Sequence, residues 1–227
     1  METPYNAIWK KNEHTSHYKS EFPKEILDLY AEKKVKRILD LGSGDGTHLS
    51  FLSQLGFEVV GIEISDEGIK KTMERIKGNQ FKINVLQRDI FLPLPFDSNF
   101  FDAVFSFQAL NHNTLPNILN LFEEINRVLK KGGIFSVKTT DRNSYNLKKI
   151  SRTIYFDTDF EETFEFLDSQ TYVPLDGNEK GIIHYAFYKY QLNKEICDRG
   201  FKLIKSNKTK WHILSTFEKV SDVVNKA

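Results

Sequence analysis

Residues Arg37–Leu52 read RILDLGSGDGTHLSFL. An apolar run suited to a buried strand leads straight into Gly42, Gly44 and Gly46, and then into a stretch with helical apolar spacing. Glycines at a strand-to-helix turn let the backbone bend tightly and come close to a ligand. The helix that follows favours electronegative groups at its N-terminus by roughly 0.3–1 kcal/mol. Spacing excludes two phosphate chemistries. A dinucleotide loop of the form G-x-G-x-x-G needs glycine where Thr47 stands, and the third glycine falls one residue early at Gly46. A P-loop needs Gly-Lys-Ser/Thr, which does not follow. Asp40 and Asp45 are also poor neighbours for a pyrophosphate. A ligand with a positive centre and no phosphate suits this loop better.

Outward from the loop, strands and helices alternate. SEFPKEILDLYAEKK predicts an amphipathic helix with Ile26, Leu27 and Tyr30 on one side. THLSFLSQLG predicts a helix stopped by Gly56, and FEVVGIE a second strand. SDEGIKKTMERIKG predicts a helix capped by Ser65 and stopped by Gly78. FKINVLQRD and FFDAVFSFQ predict a third and a fourth strand. PNILNLFEEINRVLKKGG predicts a long helix with proline near its start and glycine after its end, and IFSVKTT a fifth strand. This rhythm means βαβ units and a mostly parallel sheet covered on both faces. It breaks at Asp141. From there to about Tyr190 the chain is polar and aromatic; then YQLNKEICDRG predicts a helix, and FKLIKSNK and WHILSTFEKV two final strands, read as an antiparallel pair.

The 227 residues suit one domain. Lys and Arg number 32 against 31 Asp and Glu, a net charge of +1, which argues against a chain built to coat nucleic acid or an anionic membrane. Cys197 is the single cysteine, so neither an internal disulfide nor a cysteine zinc site is available, and no metal is expected. No signal-peptide stretch and no window of eighteen apolar residues is found, so a cytoplasmic protein, monomer or homodimer, is expected.

Two acids fall in register with the loop. Glu63 ends the second strand about 20 residues after the first glycine, where a carboxylate can accept from both ribose hydroxyls. Such charge-assisted bonds are worth about 1.5–3 kcal/mol each. Asp89, in VLQRDI, is placed to accept from an exocyclic amine, with Ile64 and Ile90 against the faces of an adenine. In order and spacing, ILDLGSGDGTHL, VVGIEIS, QRDIFLPLPFDSNFFDAVFSFQALNH and LFEEINRVLKKGGIFSV resemble the successive motifs of class I S-adenosylmethionine-dependent methyltransferases. The resemblance covers roughly residues 26–140 and the final helix and strands.

The resemblance implies a Rossmann-like, doubly wound α/β fold. Its seven-stranded sheet is mostly parallel with the last strand antiparallel, and helices cover both faces. It implies S-adenosylmethionine as cofactor and S-adenosylhomocysteine as product. Gly42, Ser43, Gly44, Asp45 and Gly46 would pass beneath the methionine and ribose, with Asp40 orienting the loop or the amino group. Glu63 would hold the ribose, Asp89 the adenine amine, and the Ile90 N–H the ring. Phe107 and Gln108 would lie beside the methionine. One domain over 1–227 is expected: a lid or tail at 1–20 carrying Tyr5 and Trp9, a cofactor-binding core at 21–140, a substrate-side insertion at 141–190, and a C-terminal helix and strand pair at 191–227.

The reaction needs alignment of a nucleophile behind the methyl carbon, and positioning of that kind can contribute about 7–11 kcal/mol. A general base is needed only when the acceptor holds its proton. His112 and His184 are the candidates, each balanced against an ordinary packed histidine. The insertion holds Tyr145, Tyr155, Phe156, Phe160, Phe164, Phe166, Tyr172, Tyr185, Phe187 and Tyr188, which suits an apolar pocket for a small organic acceptor, a structural lid or a dimer contact. A small-molecule acceptor is the reading favoured. The alternatives are an RNA or protein methyltransferase and a non-catalytic cofactor-binding or activating subunit.

Overall fold

A computed structural model describes residues 5–6, 22–77, 82–144, 153–156, 160–209 and 211–223. The expectations for Trp9, Gly78 and Tyr145 lie outside the described residues, as do the side chains of Tyr155, Phe156 and Phe160.

In chain order the elements are α1 (Lys24–Glu32), β1 (Arg37–Leu41), α2 (Thr47–Gln54), β2 (Glu58–Glu63), α3 (Asp66–Ile76), β3 (Ile83–Gln87), β4 (Phe101–Phe107), α4 (Leu115–Val128) and β5 (Leu129–Thr140). There follow β6 (Thr153–Phe156), β7 (Phe160–Phe166), β8 (Thr171–Pro174), β9 (His184–Tyr185), α5 (Lys189–Cys197), β10 (Phe201–Lys208) and β11 (His212–Lys219). Seven strands form one sheet in the order β10-β11-β5-β4-β1-β2-β3. The pairs β3–β2, β2–β1, β1–β4 and β4–β5 are parallel, and β11 runs antiparallel to both β5 and β10. This is the Rossmann-like, doubly wound arrangement with the last strand reversed.

Central parallel strands are mostly apolar because both faces are covered, with Asp40 and Glu63 near the ends of β1 and β2 as exceptions. Side chains alternate between two cores. Ile38, Phe105 and Ile134 pack with Phe22, Ile26, Tyr30, Leu49 and Leu52 from the α1 and α2 side. Leu39, Leu41, Val104 and Phe135 pack with Ile118, Phe122, Ile125, Leu192 and Ile196 from α4 and α5. Each fully buried side chain of this size stabilises the fold by about 1.5–3 kcal/mol. Among the described residues no helix is long and apolar enough to cross a membrane.

Two local expectations hold in detail. Ser65 caps α3, its Oγ accepting from Gly68 N–H at 3.1 Å, and α2 ends just before Gly56 at φ +93°. A third needs correction. The helix expected to run through Lys131 stops at Val128, and Leu129 is already extended and paired with Phe101. The buried Lys219 ammonium explains the early stop. Its Nζ donates to the carbonyls of Asn126 at 2.7 Å and Leu129 at 2.9 Å. A cation thus caps the negative end of α4, in place of a glycine.

The excursion after β5 forms a second, four-stranded antiparallel sheet, β6-β7-β8-β9. Its two ends meet: Asp141 bridges to Phe187, and Arg142 N–H donates to the Phe187 carbonyl at 2.8 Å. Buried Asp141 also pairs with Lys208. Most of the described insertion rings are engaged in packing. Phe164, Tyr172 and Ala186 form a small cluster of their own, and Tyr185 and Phe187 join the main core.

Candidate functional site

The glycine loop is built against β2. The N–H groups of Gly42 and Ser43 both donate to the Ile62 carbonyl, at 2.9 and 3.0 Å. Gly42 has φ +82°, and a Cβ there would lie 2.2 Å from the Ala109 Cβ, so backbone conformation and a close approach both require glycine. Gly46, at φ +72°, meets Thr72 in the same way, and Thr72 Oγ1 donates to the Gly44 carbonyl at 3.0 Å.

Glu63 closes the cradle. Gly44 N–H donates to its Oε2 and Ser65 N–H to its Oε1, both at 2.8 Å. The side chain is buried, and burial pushes its carboxyl above the usual range, with the backbone N–H groups pulling the other way. Each oxygen uses one lone pair on the protein, which leaves acceptor capacity on both for hydroxyl donors. Asp40 lies behind it, 2% exposed, with Oδ2 buried and without a hydrogen-bond partner. Burial first, then the charges of Glu63 and Asp45, hold the Asp40 carboxyl well above its ordinary value. A buried, unpaired carboxylate oxygen beside a second acid calls for a cation or a donor.

Asp45 is engaged by the protein. Its Oδ1 accepts from the Thr47 N–H and hydroxyl at 3.1 and 2.7 Å, and its Oδ2 pairs with Arg75 Nη2 at 2.5 Å. Arg75 Nε also donates to the Asp45 carbonyl at 2.9 Å. The carboxylate therefore shapes the start of α2. Ser43 Oγ is buried without a partner. Asp89 stands two residues beyond β3, half-buried, its Oδ1 accepting from Phe91 N–H at 2.8 Å. Ile64 is half-buried and Ile90 buried. At the end of β4, Phe107 packs into a ring cluster with Phe22 and His48, both at 5.5 Å. Gln108 takes φ +60°, a strained setting for a non-glycine residue of the kind that gathers at functional sites.

His112 and His184, far apart in sequence, come together with ring centroids 4.5 Å apart. Burial pushes the His112 imidazole down to about 4 and the His184 imidazole well below its usual value. Both rings are therefore neutral near pH 7. Glu179 and Asn111, which the sequence reading did not single out, stand beside them. Only the short Glu-x4-His spacing hinted at the first. The reading also missed His212, whose Nε2 lies 2.7 Å from Gln108 Nε2 and whose ring burial holds down to about 4.

The N-terminal segment reaches this region. Asn6 Oδ1 accepts from Ser65 Oγ and Asp66 N–H, both at 2.9 Å, and the Tyr5 hydroxyl donates to the His112 carbonyl at 3.2 Å. Burial pushes that phenol up to about 12, with Asp89, Glu63 and Glu179 all adding to the shift. A separate cleft of about 360 Å³ lies at the opposite end of the strands. Among its lining residues Arg37 pairs with Glu58 at 3.2 Å and Lys130 with Asp102 at 2.6 Å.

Residues 38–133 match the family described as "Methyltransferase domain". The uncharacterized protein MJ1252 of Methanocaldococcus jannaschii is 34% identical over 194 residues, 82% of this chain and 71% of that one. The chain belongs to the class I S-adenosylmethionine-dependent methyltransferase family. Sterol 24-C-methyltransferase erg6 of Schizosaccharomyces pombe is 34% identical over 107 residues, 46% of this chain and 28% of that protein. The curated relatives first matched are covered over only 27–40% of their own length. The methyltransferase fold itself matches the crystal structure of an S-adenosylmethionine-dependent methyltransferase from Clostridium acetobutylicum with a TM-score of 0.73, at 14% identity, over 94% of this chain and 97% of that one.

Proposed function

We propose that this chain is an S-adenosylmethionine-dependent methyltransferase acting on a small organic acceptor. The observation that carries the reading is Glu63, buried against the glycine loop with acceptor capacity left on both carboxylate oxygens. Such a group recognises the paired hydroxyls of a ribose. The unpartnered Asp40 Oδ2 supports a cationic ligand over a pyrophosphate.

In this reading Gly42–Gly46 carry the nucleoside and methionine parts, Glu63 holds the sugar, and Asp89 with Ile64 and Ile90 holds the base. Phe107 and Gln108 border the methionine side. The bound donor supplies a methyl group already activated on a sulfonium. The protein's own task is to orient, to exclude water and to present the acceptor in line. Tyr5 and Asn6, tied to His112 and Ser65, form part of a lid from segment 1–20. The insertion, 141–190, supplies the acceptor side, since Tyr185 N–H donates to the Asn111 carbonyl at 2.8 Å just beyond β4. A small acceptor accords with the near-neutral charge and with the sterol named for one relative.

Glu63→Ala tests the reading. Losing two charge-assisted bonds of about 1.5–3 kcal/mol each predicts at least a tenfold weaker affinity for S-adenosylmethionine, with the circular dichroism of a folded protein. Unchanged affinity in a folded variant would remove Glu63 from the ribose.

A further inference from the structure

Three side chains that the proposed reading does not use as a set converge where the insertion meets the loop after β4. His112 Nε2 lies 3.8 Å from Glu179 Oε1, and His184 Nε2 lies 3.4 Å from Glu179 Oε2. The three donor atoms all lie within 4.8 Å of one another. Donors on a tetrahedral ion at ~2.0–2.2 Å sit about 3.3–3.6 Å apart, so side-chain shifts of about an ångström bring all three onto one ion.

The second observation concerns His184. The side chain is 3% exposed, and its Nε2 is buried with no hydrogen-bond partner. Behind the ring, the Asn111 amide stands 3.5 Å from Nδ1, and the Asn111 amide oxygen is also buried without a partner. One arrangement of the amide gives its oxygen a partner: the oxygen turns toward the ring and accepts from Nδ1–H. The tautomer is then set, and the bare lone pair of Nε2 faces a carboxylate oxygen. Two facing lone pairs need a cation between them. Orientation of one imidazole nitrogen by a neighbouring amide or carbonyl, with the other free, is how metal-binding histidines are commonly held. The ion has an entry path, because the Glu179 side chain is 36% exposed.

We propose that His112, Glu179 and His184 form a binding site for a divalent transition ion of the zinc class. Two imidazoles and one carboxylate suit zinc, cobalt, nickel or ferrous iron; they provide too few oxygens for calcium or magnesium. Three protein ligands leave at least one coordination position open, as in catalytic sites. Ion binding does not depend on the methyltransferase reading, but the role of the open position rests on it. Tyr5 touches His112 while its neighbour Asn6 holds Ser65 beside Glu63, so the site borders the proposed cofactor cradle. A hydroxyl of the acceptor fits the open position. Its O–H bond then breaks on the ion, the proton leaves to solvent, and the oxygen keeps the electron pair as the nucleophile.

The test uses the untagged full chain, stripped with a chelator and titrated with ZnCl₂ and, separately, CoCl₂. Bound metal is counted after gel filtration, and the visible absorption of Co²⁺ reports the ligands. One ion per chain is expected, bound at least tenfold more weakly in Glu179→Gln and in His112→Gln, neither of which removes a fully buried side chain. Asn111→Ala keeps all three ligands and should weaken binding about 10–100-fold through loss of ring orientation. No bound ion, or equal binding in Glu179→Gln, overturns the site. The same samples are titrated with S-adenosylhomocysteine. Nucleoside binding without metal overturns this proposal alone, and metal binding without nucleoside overturns the proposed function and leaves the ion site standing.

Discussion

Gly42→Ala places a methyl group where the loop has no room. The added Cβ would lie 2.2 Å from the Ala109 Cβ, and the backbone sits at φ +82°. Overpacking of this kind costs about 1–3 kcal/mol, and the left-handed setting adds about 1–2 kcal/mol for a side chain. The sum, about 2–5 kcal/mol, is a large part of the ~5–15 kcal/mol that holds a typical protein folded. At roughly 2–4 °C per kcal/mol for a chain of this size, the unfolding midpoint falls by about 4–20 °C. The two contributions can be separated, because the next atom met is the Ala109 Cα at 3.7 Å, an ordinary contact. Ala109→Gly therefore removes the clash and leaves the backbone strain. Urea unfolding of the parent, each single variant and Gly42→Ala/Ala109→Gly should give a favourable coupling of about 1–3 kcal/mol. A double variant no more stable than the sum of the single losses would refute the close approach as the reason for glycine.

Asp40→Asn should raise the ligand-free midpoint near pH 7 by about 2–4 °C for each kcal/mol of buried charge removed. The sign follows from its raised carboxyl: the stability this group contributes is complete below its unfolded-state pKa and is lost as pH rises through the folded value. Parent stability should thus decline over that window more than that of the variant, and a pH series of thermal melts checks it; the same variant should bind S-adenosylmethionine more weakly. Lys219→Met removes the cap of α4 and strands the buried carbonyls of Asn126 and Leu129, at about 1–3 kcal/mol each. Chemical unfolding should show that loss with cofactor affinity unchanged, and an unaltered stability would contradict the capping role.

What could be read from the chain was local. The β1 strand, the glycine turn and the Ser65 cap each depend on residues a few positions apart, and the alternation of elements implies a parallel sheet. Glu63 was legible because the strand-to-loop spacing puts it beside the glycines. The end of α4 was not, since the cation that caps it comes from β11, 93 residues from Asn126 along the chain. The pairing of Asp45 with Arg75 was not legible either, because Arg75 comes a whole strand and helix later. His112 and His184 were each weighed alone. Only the return of the insertion to Asn111 brings their rings together and sets Glu179 against both.

The most direct test of the central claim is calorimetric titration of the purified chain with S-adenosylmethionine, S-adenosylhomocysteine and NAD side by side. The account predicts binding of the first two, lost in Glu63→Ala, and none of the third. Binding of NAD alone would contradict it.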